Sequence, residues 1–144
     1  MSIKEKLTKE EAIRRHRLTW NYIADESART RTRIDKVDAF NHFGWEETPF
    51  NRCWCCEYAD QTHKGWCPHN LCAYCPLDWK KGNANGVEYC STGYTDANGT
   101  HHYGLYTEWN SIRLLDDCNS EQLDKYINLA KRIANVPEKE KCNV

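Results

Sequence analysis

Cys53-Trp54-Cys55-Cys56 and Cys72-Ala73-Tyr74-Cys75 decide how this chain is read. Taken as Cys53-x2-Cys56 and Cys72-x2-Cys75, the pairs stand fifteen residues apart, from 57 to 71. Four-thiolate zinc sites use two such pairs at a spacing of roughly 15–20 residues. A two-residue loop brings both sulfurs of a pair to one ion, and two pairs complete a tetrahedron. Four protein ligands leave no open coordination position, so the expected metal is structural, one Zn2+ per chain. Cys55, His63, Cys67, His69 and Cys90 lie near enough in sequence to replace one of the four. A second ion on Cys55, Cys67, His69 and Cys90 is the alternative stoichiometry. Cys118 and Cys142 stand apart and read as ordinary thiols.

Nine cysteines in 144 residues pose a choice between a disulfide framework and metal ligation. The count is odd, and the opening Met1-Ser2-Ile3-Lys4-Glu5-Lys6-Leu7-Thr8 lacks the apolar core of a signal peptide. A reducing cytoplasm and a metal site are therefore expected. No apolar run approaches the ~20 residues of a membrane span, which argues against a membrane partner. The length suits one domain over residues 1–144. Its expected parts are an N-terminal helical portion (1–44), a zinc module (45–81) and a hairpin and helical portion (82–144).

Outward from the knuckles, helical periodicity takes over. Thr8-Lys9-Glu10-Glu11 reads as a capping box, followed by Ile13, His16, Trp20, Ile23 and Ala24 on one apolar stripe. Residues 25–33 are polar and read as a connection. A short helix is predicted over Asp35–His42, with Val37 and Phe40 inward and a stop near Gly44. Between Trp45 and Lys81 periodicity fades, and Trp54, Tyr58, Trp66, Tyr74 and Trp79 are expected as a small core around the metal. Residues 80–86 read as a turn-rich connection. Val87–Thr95 and Thr100–Tyr106 flank Asp96-Ala97-Asn98-Gly99, a hairpin pattern, with a helix from Leu105 to Leu115 as the competing reading. Asn119 or Ser120 caps a last helix whose face is Leu123, Tyr126, Ile127, Ala130, Ile133 and Ala134. Pro137 ends it, and 138–144 reads as a frayed tail. The expected fold is α+β, helix-dominated, with the zinc module between two amphipathic helices.

The formal net charge of −1 provides no global attraction to nucleic acid or to a membrane surface. Residues 1–36 carry ten basic against six acidic side chains, and residues 37–79 carry two against six. Arg29-Thr30-Arg31-Thr32-Arg33 would form a comb of three arginines if extended, the best local match to a phosphodiester backbone. Lys80 and Lys81 would extend that surface. Enzymatic signatures are missing: Cys72-x2-Cys75 follows Leu71 rather than proline, and no His-x-Glu precedes it, as a zinc deaminase needs. There is no His-Glu-x-x-His, no phosphate-binding Gly-Lys-Ser/Thr loop and no Gly-x-Ser-x-Gly. His101 and His102 read as hairpin side chains. No enzymatic activity is expected.

The strings Cys53-x2-Cys56-Glu57-Tyr58-Ala59 and Cys72-x2-Cys75-Pro76-Leu77-Asp78-Trp79 resemble small cysteine-rich proteins encoded by phages and prophages of Gram-positive bacteria. A Trp-bearing first helix, Cys90, Leu105-Tyr106-x2-Trp109 and Ile133-Ala134-x2-Pro137 extend the likeness over most of the chain. Cys55, Cys67 and His69 depart from it. The resemblance implies zinc and a phage setting, with no reaction attached. The expected function is binding of a host or phage protein, in a regulatory, inhibitory or host-takeover role. The alternative is a nucleic-acid-binding accessory protein whose zinc scaffolds a basic surface.

Overall fold

A computed structural model gives the fold and describes residues 7–45, 54–62, 75–88, 90–91 and 93–139, excluding the side chains of residues 56 and 60–62. The longest helix, α1 (Lys9–Thr30), organises the rest. The Thr8 hydroxyl accepts from the Glu11 amide at 3.1 Å and caps its first turn. The Glu11 carboxylate, expected to reach back to the cap, lies against Arg14 and Arg15 instead. Ile13, His16, Trp20, Ile23 and Ala24 are buried along one face, as their spacing predicts.

The expected connection over 25–33 begins instead as the end of α1. Its polar residues suit a helix: Arg29 pairs with Glu26 one turn back, and the buried Ser27 hydroxyl accepts the Ile34 amide. Arg31, in the left-handed region at φ 55°, ends the helix. The second helix, α2 (Lys36–Phe43), has Asp35 and Asp38 capping each other's amides. It stops at Gly44, whose φ of 69° is left-handed. Ala39 and Phe40 are buried, whereas Val37, expected inward, is 55% exposed. Burial centred on Ala39 and Phe40 puts Val37 at the edge of the face.

The largest departure lies in 45–81, expected as metal-organised loops. Among its described residues two helices occur, α3 (Trp54–Thr62) and the start of α4 (Trp79–Asn83). Trp54, Cys55 and Ala59 are buried, a stripe at helical spacing, and α3 packs on α1. Trp54 joins Leu7, Ala12 and Phe40 in a small apolar cluster flanked by Trp45 and Tyr58. Trp79 belongs to the main core instead, and Trp66 and Tyr74 lie outside the described residues. Half of the expected turn-rich connection over 80–86 is therefore helix. Gly82 meets the C-terminal segment so closely that a Cβ would stand 2.7 Å from a Val136 methyl.

The hairpin exists but is short: β1 (Tyr94–Thr95) pairs antiparallel with β2 (His101–His102). Asp96 closes the turn by accepting the Asn98 and Thr100 amides. The strands have no buried face, so apolar packing does not lengthen them. The competing helical reading of 105–115 is realised as α5 (Leu105–Arg113). The last helix, α6 (Ser120–Ala134), carries a reciprocal cap between Asn119 and Gln122. Leu129 joins its buried face, and Ile127 is half-buried.

The main core lies where α1, α5 and α6 meet. Trp20 stands edge-on to Trp109 with ring centroids 4.6 Å apart, and Trp109 stacks on Tyr126 at 5.1 Å. His16 Nε2 lies 2.9 Å from the Ile133 carbonyl oxygen, and Arg17 donates to the Ala134 carbonyl. The tail expected to fray from 138 starts as a bridge: Leu77 pairs with Glu138, and Lys139 donates its amide to the Pro76 carbonyl. Residues 140–144 lie outside the described residues. The architecture is helix-dominated α+β, with one two-stranded antiparallel sheet.

Candidate functional site

The metal ligands expected from sequence fall on both sides of what the structure describes. Cys53, Cys72, Cys67, His63 and His69 lie outside the described residues, as does the side chain of Cys56. Among the described residues, no group of three or more His, Cys, Asp or Glu stands together to hold an ion. The backbone around the first knuckle is nevertheless informative. Trp54 is the first residue of α3, and Cys56 is its third. The positive end of a helix dipole favours a thiolate, the form a metal needs.

Cys55, between them, is fully buried and directs its thiol to the Ala12 carbonyl oxygen at 3.9 Å. It sits on the face of α3 that packs on α1. Cys75 is buried in the main core, at the foot of the second knuckle. Just beyond it, Pro76, Leu77 and Asp78 are bonded to the segment after α6, with the Asp78 amide 2.7 Å from the Pro137 carbonyl oxygen. Cys55 is thus tied to the bundle through α3 and α1, and Cys75 is followed by residues tied to 137–139. Cys90 packs half-buried against the main core, and so does Cys118.

The arginines of 29–33 are not brought into one comb. Arg29 pairs with Glu26 along α1, and Arg31 donates to Asp124 and Ser120 of α6. Arg33 turns the other way and donates to the carbonyls of Ile112, Arg113 and Leu115 at the end of α5. A guanidinium there supplies donors to the carbonyls at the C-terminal end of the helix. Lys80 and Lys81 lie on α4, Lys80 being 4.0 Å from Glu88. His102 is held by Asp96 at 2.8 Å and stacks on Tyr94. That contact, with two backbone amides, keeps the Asp96 carboxyl below its usual range.

A cleft that sequence reasoning missed opens between α2 and α5. Its volume is ≈ 240 Å³, and it is lined by Lys36, Val37, Phe40, Tyr106, Trp109 and Arg113, with Asp35 beside them. Buried Phe40 and Trp109 supply its apolar floor. Lys36 lies over the Tyr106 ring at 5.0 Å and hydrogen-bonds its hydroxyl, while the Arg113 guanidinium lies 6.0 Å from the Trp109 ring centre. Val37 is exposed on the rim, and Leu114 and Leu115, directly after Arg113, are exposed as well. The one sequence signal was Val37, an apolar residue placed inward by its neighbours and found outward. Among the described residues, no helix is long and apolar enough to cross a membrane. No family model matches the chain, and comparison with curated proteins and with solved structures finds no match.

Proposed function

We propose that the protein is a zinc-stabilised binding module that docks a segment of a host or phage protein in the cleft between α2 and α5. The carrying observation is that cleft: an aromatic floor at Phe40 and Trp109, with Val37 exposed in its lining and Leu114 exposed directly after Arg113. Its volume falls below the about 300–1,000 Å³ of small-molecule sites, which suits one anchoring side chain better than a cofactor or substrate.

Zinc, in this reading, is held by Cys53, Cys56, Cys72 and Cys75 and does no chemistry. Support comes from Cys56 lying in the first turn of α3 and from the packing of Cys55 on α1, which leaves Cys55 to the core. Nucleic-acid binding draws less support, because Arg29, Arg31 and Arg33 each engage acceptors within the chain.

Native mass spectrometry of tag-free protein, purified under reducing conditions from a host in which it acts, tests both parts. One zinc per chain and one stoichiometric polypeptide are expected. Cys72→Ser should lose the metal and melt at a lower temperature. Val37→Asp with Leu114→Asp should keep the metal and lose the polypeptide. Metal absent, with a mass lowered by the hydrogens lost in disulfide formation, would overturn the zinc reading.

A further inference from the structure

Independently of the docking reading, we propose that Asn98-Gly99, at the tip of the β1–β2 hairpin, is a self-modifying site. There the asparagine deamidates through a cyclic imide to isoaspartate and aspartate, while the fold holds back the same chemistry at Asn85-Gly86. These are the two Asn-Gly steps of the chain. Glycine is the residue that permits the reaction most readily, because no Cβ shields its backbone nitrogen.

The reaction uses only the chain and water. The glycine nitrogen, giving its proton to solvent, attacks the side-chain amide carbon of the asparagine. A bond forms between them, the bond from that carbon to the side-chain nitrogen breaks, and the nitrogen leaves as ammonia with the proton returned. One water then opens the imide at either of its carbonyls. Opening at one gives aspartate; opening at the other gives isoaspartate, in which the main chain runs through the former side chain.

The two steps differ in what holds the asparagine. Asn98 is exposed, and its side chain makes no hydrogen bond among the described residues. Gly99 has φ 80°, and a Cβ placed on it would meet nothing within 4 Å. The attacking amide donates to the Asp96 carbonyl at 3.0 Å, one bond on an exposed turn that opens by local fluctuation. Asn85 is clamped. Its side-chain oxygen accepts the Val87 amide at 3.1 Å, and its side-chain nitrogen donates to the Tyr103 carbonyl at 3.1 Å. The Tyr94 hydroxyl holds its backbone carbonyl at 2.8 Å. The amide carbon of Asn85 therefore cannot swing to the Gly86 nitrogen until both side-chain bonds open, which slows that step roughly tenfold.

The product changes the hairpin. Either form adds one negative charge beside Asp96, whose carboxylate already holds His102 at 2.8 Å. Isoaspartate also adds a methylene to the main chain of a turn closed by the Asp96 amide on the Thr100 carbonyl. A longer turn no longer fits the register that pairs Tyr94 with His102 and Thr95 with His101.

The test is ageing of the full-length protein, purified under reducing conditions, in mildly alkaline buffer. Digestion after Tyr94 separates the two steps, and mass spectrometry reads the exchange of an amide for an acid at each. An isoaspartate-specific carboxyl methyltransferase with labelled S-adenosylmethionine reads the rearranged product. Conversion at Asn98 should exceed that at Asn85 roughly tenfold in the folded chain. In urea the two rates should converge, because only local sequence then distinguishes them. Tyr94→Phe keeps the ring on His102, frees the Asn85 carbonyl and should raise conversion at Asn85 severalfold. Asn98→Gln should abolish methyl acceptance by the folded chain. Equal rates at both steps before urea is added would overturn the proposal. So would an Asn98 that converts only in urea, or a product at Asn98 that takes no methyl group.

Discussion

Trp20, Trp109 and Tyr126 interlock where α1, α5 and α6 meet, whereas Trp54 on α3 packs into a cluster with Leu7, Ala12 and Phe40. In the first region, apolar residues repeat at helical spacing on three helices, and each helix buries a face against the others. In the second, α3 buries Trp54, Cys55 and Ala59 against α1, and the sequence that follows up to Cys75 is mostly polar residues and cysteines. Burial stabilises roughly in proportion to apolar area removed from water, so the first region stands on packing. The described part of the second buries fewer apolar residues, Trp54, Cys55 and Ala59 on one short helix. A metal between the knuckles would supply the difference, because binding free energy at a structural zinc is folding free energy.

The largest effect should therefore come from removing the metal. Structural zinc contributes on the order of 10 kcal/mol at neutral pH in small zinc domains. A strong chelator should accelerate amide exchange in α3 by orders of magnitude and leave α6 protected nearly as before. Equal loss in both helices would erase the distinction between the regions and make the chain one cooperative unit. No change in either would remove zinc from the account altogether.

Next in size is the packed region itself. Trp109→Ala deletes the ring shared by Trp20 and Tyr126 and should cost about 3–5 kcal/mol, read as a lower urea midpoint. Zinc content should stay at the wild-type level if the ion, and not the bundle, holds the knuckles in place. A variant that loses metal in step with stability would show that the bundle, and not the ion, holds the knuckles in place.

The two regions also differ in how much of them the sequence discloses. The stripe from Ile13 to Ala24 and the face from Leu123 to Ala134 are legible because a 3.6-residue period has one geometric meaning. The end of α1 is less so: Ser27 and Arg29 read as polar linker, yet a buried hydroxyl bond to the Ile34 amide and a pair with Glu26 keep them helical. In α3, cysteine periodicity hides behind ligand spacing, and Cys55 reads as a spare ligand until its packing on Ala12 is seen. The hairpin was legible from Asp96-Ala97-Asn98-Gly99, but the strand lengths were not, because no buried face sets them. Beyond Val37, the α2–α5 cleft was not legible in sequence: Phe40, Tyr106 and Trp109 meet only through tertiary packing, and each alone reads as core.

The smallest effect probes the border between the regions. Glu11 on α1 holds Arg14 and Arg15, and the Arg15 guanidinium lies over the Trp54 ring at 4.7 Å. The bond from Arg14, reinforced by Arg15, lowers the Glu11 pKa from 4.5 to about 2. A carboxylate depressed in the folded state adds stability above its unfolded pKa, lost as pH falls through the folded value. The window therefore runs from about pH 4.5 down to about pH 2. Glu11 is partly exposed, so solvent screening reduces the contribution to about 1 kcal/mol. Acid would also protonate the proposed cysteine ligands and release their zinc, but equally in wild type and in Glu11→Gln. The informative quantity is thus the gap between their urea midpoints. It should favour wild type near pH 5 and close by about pH 2, and a gap that stays constant would mean that Glu11 leaves Arg15 on Trp54 unaided.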